Sequence, residues 1–145
     1  TTIKTTSNIN GVTVYHNDDN YWEDIKFMEN RIKTLLAGKA ATEIAYKTCD
    51  TGSNSDIHKA YNIARRFVDN YCMLGFNAWI SDNDETSEKV KQNKDEKTNE
   101  LITKYYEEVK NLLIKNRKKL DVLAKELHKN KILFKKEIKS ILSTF

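Results

Sequence analysis

Residues 51–71 read TGSNSDIHKAYNIARRFVDNY, and this stretch decides the class of fold. Ser53, Asn54 and Ser55 are each good helix N-cap residues, and Ile57, Ala60, Tyr61, Ala64, Val68 and Tyr71 then recur at helical spacing. A helix is expected to begin near Asn54 and to end by Gly75. Asp56 falls in its first turn, where exposed backbone amides and the helix dipole favour a carboxylate.

Upstream, Trp22, Ile25, Met28, Ile32, Leu35, Leu36, Ala40 and Ile44 step by three or four and mark one face of a long first helix, with turn chemistry from Lys47 to Ser53. Before it, residues 1–20 are rich in Thr and Asn, and Ile3 with Val12-Thr13-Val14-Tyr15 suggests a small β-hairpin. Downstream, residues 81–99 are almost wholly polar and read as a loop with a helix starting inside it. Leu101, Tyr105, Val109, Leu112, Leu113, Leu120, Leu123, Ala124 and Leu127 then mark a long amphipathic helix, and Ile138, Ile141 and Leu142 a short final one after a break at Lys129 to Lys131.

The expected fold is mainly α: a single domain over 1–145, a bundle of about four helices with a small N-terminal β-hairpin. Its parts are the hairpin (1–20), a helical pair (21–80), a polar loop (81–99) and C-terminal helices (100–145). Such stripes gain little in water unless they bury against one another, so Leu36, Ile44, Ala64 and Leu112 are expected in the core.

Composition agrees. Proline is absent and there are four glycines, so helix breakers are scarce. Charged residues make up 32% of the chain and mean hydropathy is -0.71, which leaves no apolar run long enough for a membrane span. The net charge of +4 comes from the second half. There the lysines alternate with Glu107, Glu108, Asp121, Glu126 and Glu137, the pattern of a solvated helix face rather than of a nucleic-acid contact. Cys49 and Cys72 form neither a disulfide framework nor a paired zinc motif, and read as reduced thiols. The chain begins Thr-Thr and shows no signal-peptide pattern, so a piece of a longer polypeptide is expected.

Local motifs supply no catalytic constellation. His16, His58 and His128 lie on three different elements without HxH, HxxxH or HExxH spacing, and each reads as a solvated or hydrogen-bonded side chain. No Ser/His/Asp or Cys/His arrangement and no glycine-rich phosphate loop emerges from the spacing.

The order of segments carries more. Leu35-Leu36-Ala37-Gly38-Lys39-Ala40-Ala41-Thr42-Glu43-Ile44 is similar to the LxGRxAEE(I) segment of the FtsH-like ATP-dependent zinc metalloproteases. Thr51-Gly52-Ser53-Asn54-Ser55-Asp56-Ile57, continuing through Ala60 and Ile63-Ala64-Arg65-Arg66 to Tyr71, resembles that family's TGASNDL segment and the helix after it. Thr2-Ile3 with Gly11-Val12-Thr13 resembles its strand pair, and Leu112 to Leu127 with Ile138 its C-terminal helices, so the likeness covers almost the whole chain.

This resemblance implies the C-terminal part of a peptidase domain that degrades protein substrates by zinc-activated water. Asp56 stands at the position of the family's aspartate zinc ligand, and Glu43, Gly52 and Asn54 are candidates to line the site. It further implies zinc in the parent protein, ATP used by an upstream AAA module, a homo-hexamer, and a parent anchored in a membrane by upstream segments, with this soluble part on the cytoplasmic, matrix or stromal side. The two histidines and the glutamate base of HExxH are not in this sequence, Thr42 replaces the first glutamate of the EE pair, Lys39 replaces the arginine, and the Pro-Arg-Gly turn of the hairpin is replaced by a polar stretch from Thr5 to Asn10. The chain alone is therefore not expected to be competent. The alternative is a non-catalytic, peptidase-like helical domain serving assembly or substrate binding.

Overall fold

Asp24 starts the first helix by taking up an orphan amide: its backbone is extended and its Oδ1 accepts the Phe27 N–H at 2.7 Å. A computed structural model describes residues 1–3, 11–14, 24–48, 51–71 and 88–144. Helix α1 runs Ile25–Tyr46 and stops at Lys47, whose N–H donates to the Glu43 carbonyl and whose φ of 57° is left-handed. Helix α2 runs Asn54–Asp69 from a Ser53 cap position, as its N-cap run led one to expect. It ends at Asp69, ahead of Gly75, so Tyr71 lies beyond it. Helices α3 (Glu88–Lys115), α4 (Arg117–Asn130) and α5 (Lys135–Ser143) complete the described elements. His16, Trp22, Cys49, Cys72, Gly75 and the expected hairpin turn lie outside the described residues.

The chain divides into two compact units. The larger, Trp22–Leu112, contains α1, α2 and most of α3. Its core joins Met28, Ile32 and Leu36 of α1 to Ala60, Ala64 and Phe67 of α2 and Tyr105 of α3. The two alanines are fully buried and let α1 and α2 lie close together. Leu36, Ile44 and Ala64 are buried as expected. Leu112 is not: it is 60% exposed, although it stands three residues past Val109 on the stripe that carries Tyr105, so the buried part of that stripe ends at Val109.

The polar stretch read as a loop with a helix starting inside it is helical from Glu88 onward. Its exposed surface is tied by ion pairs one turn apart, Lys91 to Glu88 at 2.8 Å and Lys97 to Glu100 at 2.9 Å. Its inner face is formed by Lys94 and Thr98, both buried. The Thr98 hydroxyl donates back to the Lys94 carbonyl at 2.8 Å. Lys94 Nζ stands 3.0 Å from Asp69 Oδ1 of α2, an ionic contact off the hydrogen-bonding direction. The other Asp69 oxygen accepts from Arg65 Nε at 2.6 Å, and Arg65 also donates to Asp95 of α3.

The smaller unit, residues 1–21 with 113–145, holds α4 and α5 packed on each other. The long helix expected from Leu101 to Leu127 is broken at Asn116, which gives five helices among the described residues where about four were expected. The expected hairpin is also corrected. Among the described residues no strand forms, only isolated antiparallel bridges from Thr2 to Val12 and from Thr2 to Ile132. The reason is that the first residues divide their backbone bonds between two sides. Thr2 pairs with Val12, whereas Ile3 N–H goes to the Lys131 carbonyl at 3.0 Å and the Thr1 carbonyl accepts from Leu133 at 3.0 Å. Gly11 suits its place, since a methyl there would stand 3.1 Å from the Thr2 carbonyl. Glu137 closes the start of α5 by accepting the Phe134 N–H at 2.7 Å. Phenylalanine has no acceptor to return the bond, so only half of a capping box exists.

Two substitutions test this packing. Leu36→Ala is expected to cost about 2–5 kcal/mol by opening a cavity in the α1–α2 seam, while Leu112→Ser stays within about 0.5 kcal/mol. Lys47→Gly relieves a left-handed residue and is expected to stabilise by about 1 kcal/mol, read from the urea midpoint at unchanged slope.

Candidate functional site

The entry to α2 is a turn followed by a helix start. Asn54 N–H donates to the Thr51 carbonyl at 3.2 Å, and the Ser53 carbonyl accepts the first helical bond, from Ile57, at 3.0 Å. This brings Asp56 into the first turn with its carboxylate 52% exposed, the sole acidic residue of that turn. Its neighbour is Lys59 Nζ at 3.6 Å, an exposed pair one turn apart worth at most about 1 kcal/mol and easily displaced. Gly52 and Asn54 are exposed beside it, and His58 faces solvent two residues on.

Glu43, the other candidate carboxylate, is engaged elsewhere. Tyr106 Oη of α3 donates to its Oε2, and Lys110 Nζ donates to its Oε1 at 2.9 Å. The hydrogen bond from Tyr106, followed by that from Lys110, holds the Glu43 carboxyl below its ordinary value of 4.5. Both oxygens thus serve the α1–α3 contact. Beside Tyr106 in sequence, Tyr105 Oη donates to Glu29 Oε1 at 2.7 Å, and burial followed by that carboxylate pushes the phenol well above its ordinary value.

A catalytic zinc commonly needs three protein donors. Among the described residues no group of three His, Cys, Asp or Glu side chains comes together that could hold a metal. The described residues therefore do not make a zinc site by themselves; Asp56 fits a single carboxylate donor. His128 is in the last turn of α4, exposed, and belongs to the other unit.

Several polar contacts escaped the sequence reading. Tyr106 and Lys110 lie four apart on one flank of α3, and Lys94, Thr98, Leu101, Tyr105 and Val109 form a separate helical stripe beside them. The stripe is legible at steps of three and four, but its first two members are polar and so gave no hydrophobic signal.

Comparison with known proteins identifies the family. The chain belongs to peptidase family M41, whose sequence pattern matches residues 1–141. Among its curated relatives is the ATP-dependent zinc metalloprotease FtsH 3 of Petrotoga mobilis, 29% identical over 140 residues, which are 86% of this chain and 22% of that protein. The ATP-dependent zinc metalloprotease FtsH of Pseudothermotoga lettingae is 31% identical over 142 residues, 88% of this chain and 23% of that protein. That of Syntrophus aciditrophicus is 32% identical over 149 residues, 88% of this chain and 20% of that protein. The chain thus spans about a fifth of the length of the relatives it matches.

The lowered Glu43 pKa sets a pH dependence. A carboxyl depressed in the folded state adds stability that is complete above its unfolded value and is lost as pH falls through the folded one. Melting temperatures of the native chain and Glu43→Gln are therefore expected to differ at neutral pH and to converge below pH 4.5, as the Glu43 carboxyl takes up its proton. A gap that persists unchanged into acid would mean that packing, not charge, is what Glu43 contributes.

Proposed function

We propose that this chain is the C-terminal part of the peptidase domain of an ATP-dependent zinc metalloprotease, and that Asp56 supplies one carboxylate ligand to its zinc. The observation that carries the reading is the place of Asp56: solvent-facing, on the first turn of α2, at the end of a Thr-Gly-x-x-x-Asp segment, in a chain of this peptidase family. When bound, such a zinc polarises the scissile carbonyl and lowers the pKa of a water molecule.

The residues of this chain perform the positioning. Asp56 stands in the first turn of α2, where the helix dipole complements an acidic side chain, and the α1–α2 seam fixes the turn on which it sits. Displacing Lys59 frees the carboxylate at little cost. The remaining donors and the base that moves the proton come from outside the described residues. Protein substrates, ATP consumed by an AAA module, assembly as a hexamer and a membrane anchor elsewhere in the polypeptide complete this reading. No described helix is long and apolar enough to cross a membrane.

The test uses the full polypeptide that carries this chain, assayed for bound zinc and for casein cleavage beside its Asp56→Asn variant. Stoichiometric zinc and chelator-sensitive cleavage are expected, with zinc affinity at least about 10-fold weaker in the variant. Because Asp56 is exposed, the variant should lose less than about 1 kcal/mol of stability. A folded protein without zinc or cleavage would instead establish the non-catalytic scaffold, which the substitution of Thr42 and Lys39 into the LxGRxAEE-like segment would then suit.

A further inference from the structure

A second feature of the larger unit is a solvent-facing groove of about 240 Å³ between α1 and α2. Its floor is apolar, made by Met28 and Leu35 of α1 and Ile63 of α2, with the Asn62 amide at one side. Its rim is cationic: Arg31 from α1, Lys59 and Arg66 from α2. None of the lining residues is acidic.

Helix geometry puts this groove on the side of α1 away from α3. Residues two apart lie about 200° apart around a helix. Glu29 and Lys33 reach Tyr105 and Glu108 of α3, so Arg31 and Leu35 point elsewhere. Arg66 is steered by Tyr71, which receives a hydrogen bond from its guanidinium and lies with its ring 5.3 Å below it. A guanidinium has five donors in a planar fork, so this contact leaves Arg66 able to grip a carboxylate.

We propose that the groove docks extended peptide segments in which an acidic residue stands beside a leucine- or phenylalanine-sized apolar one. The volume is below the roughly 300–1,000 Å³ of pockets for drug-sized molecules, so it suits one or two side chains rather than a cofactor. The apolar floor argues against a free inorganic anion, which would gain nothing from Met28, Leu35 and Ile63. The cationic rim selects acidic over basic segments by charge complementarity. Docking there requires neither zinc nor cleavage, so the experiment stands apart from the protease reading.

The probe is an acetylated and amidated hexapeptide with a glutamate-leucine-glutamate-phenylalanine core, titrated by calorimetry and by amide chemical shifts into the 145-residue chain with chelator present. A second peptide has lysine in place of both glutamates. Saturable binding of the acidic peptide is expected, with shifts centred on Arg31, Leu35, Ile63 and Arg66, and affinity at least about 10-fold weaker for the lysine peptide and for the Arg31→Gln/Arg66→Gln double variant. Circular dichroism checks its fold; should the pair unfold, Lys59→Gln alone is read, with a several-fold loss expected. The proposal is overturned by any of four results: no saturable binding up to about 5 mM, equal binding of the lysine peptide, unchanged affinity in a folded variant, or shifts confined to another surface.

Discussion

The close approach of α1 and α2 is the constraint on which the larger unit depends. Ala60 and Ala64 are fully buried against a face whose large members are Ile32 and Leu36, and only side chains that small let the two helices meet at short range. Larger residues there would force strain of about 1–3 kcal/mol each. The seam orients the first turn of α2, hence Asp56, and it forms both walls of the basic groove. One packing contact thus places two surfaces of different chemistry.

Helix α3 is attached by other means. It reaches α1 through large side chains rather than by close backbone approach: Tyr105 enters the core and bonds Glu29, Tyr106 and Lys110 hold Glu43, and Lys33 lies 5.0 Å over the Tyr105 ring while pairing with Glu108. Toward α2 it offers the ionic cluster of Lys94 and Asp95 with Asp69 and Arg65. Burial by itself would lower the Arg65 pKa, but the hydrogen bonds to Asp69 and Asp95 outweigh it and the group stands above its ordinary value. An apolar seam joins α1 to α2, and a mixed aromatic and ionic clamp joins α3 to that pair.

The helical class, the start of α2 and the core role of Leu36, Ile44 and Ala64 were legible in the sequence because cap chemistry and apolar period agree there. Family membership was legible as well, from the Thr-Gly-x-x-x-Asp segment and the LxGRxAEE-like run. Less visible was the part of α3 before Leu101, where the inward positions are Lys94 and Thr98 and a hydrophobic pattern has nothing to register. Leu112 misled in the opposite sense: its spacing continues the stripe past Val109, yet it stands exposed, and periodicity does not tell where along a helix burial stops. The hairpin failed because Thr2 bridges two partners, one of them at Ile132, far along the chain, and local alternation carries no sign of a distant competitor. As for the site, the sequence pointed to Asp56, whereas the engagement of Glu43 by Tyr106 and Lys110 depends on helix packing that spacing alone does not specify.

Lys94 shows what burial does to a common residue type. Most lysines here are solvated, and each is open to acylation whenever its amine sheds a proton. Lys94 is enclosed and faces a carboxylate at 3.0 Å, so its nitrogen is shielded from reagents. Within a lysine-rich surface, one amine is thereby withdrawn from the chemistry that its neighbours undergo, and its eventual modification would report that α2 and α3 had separated.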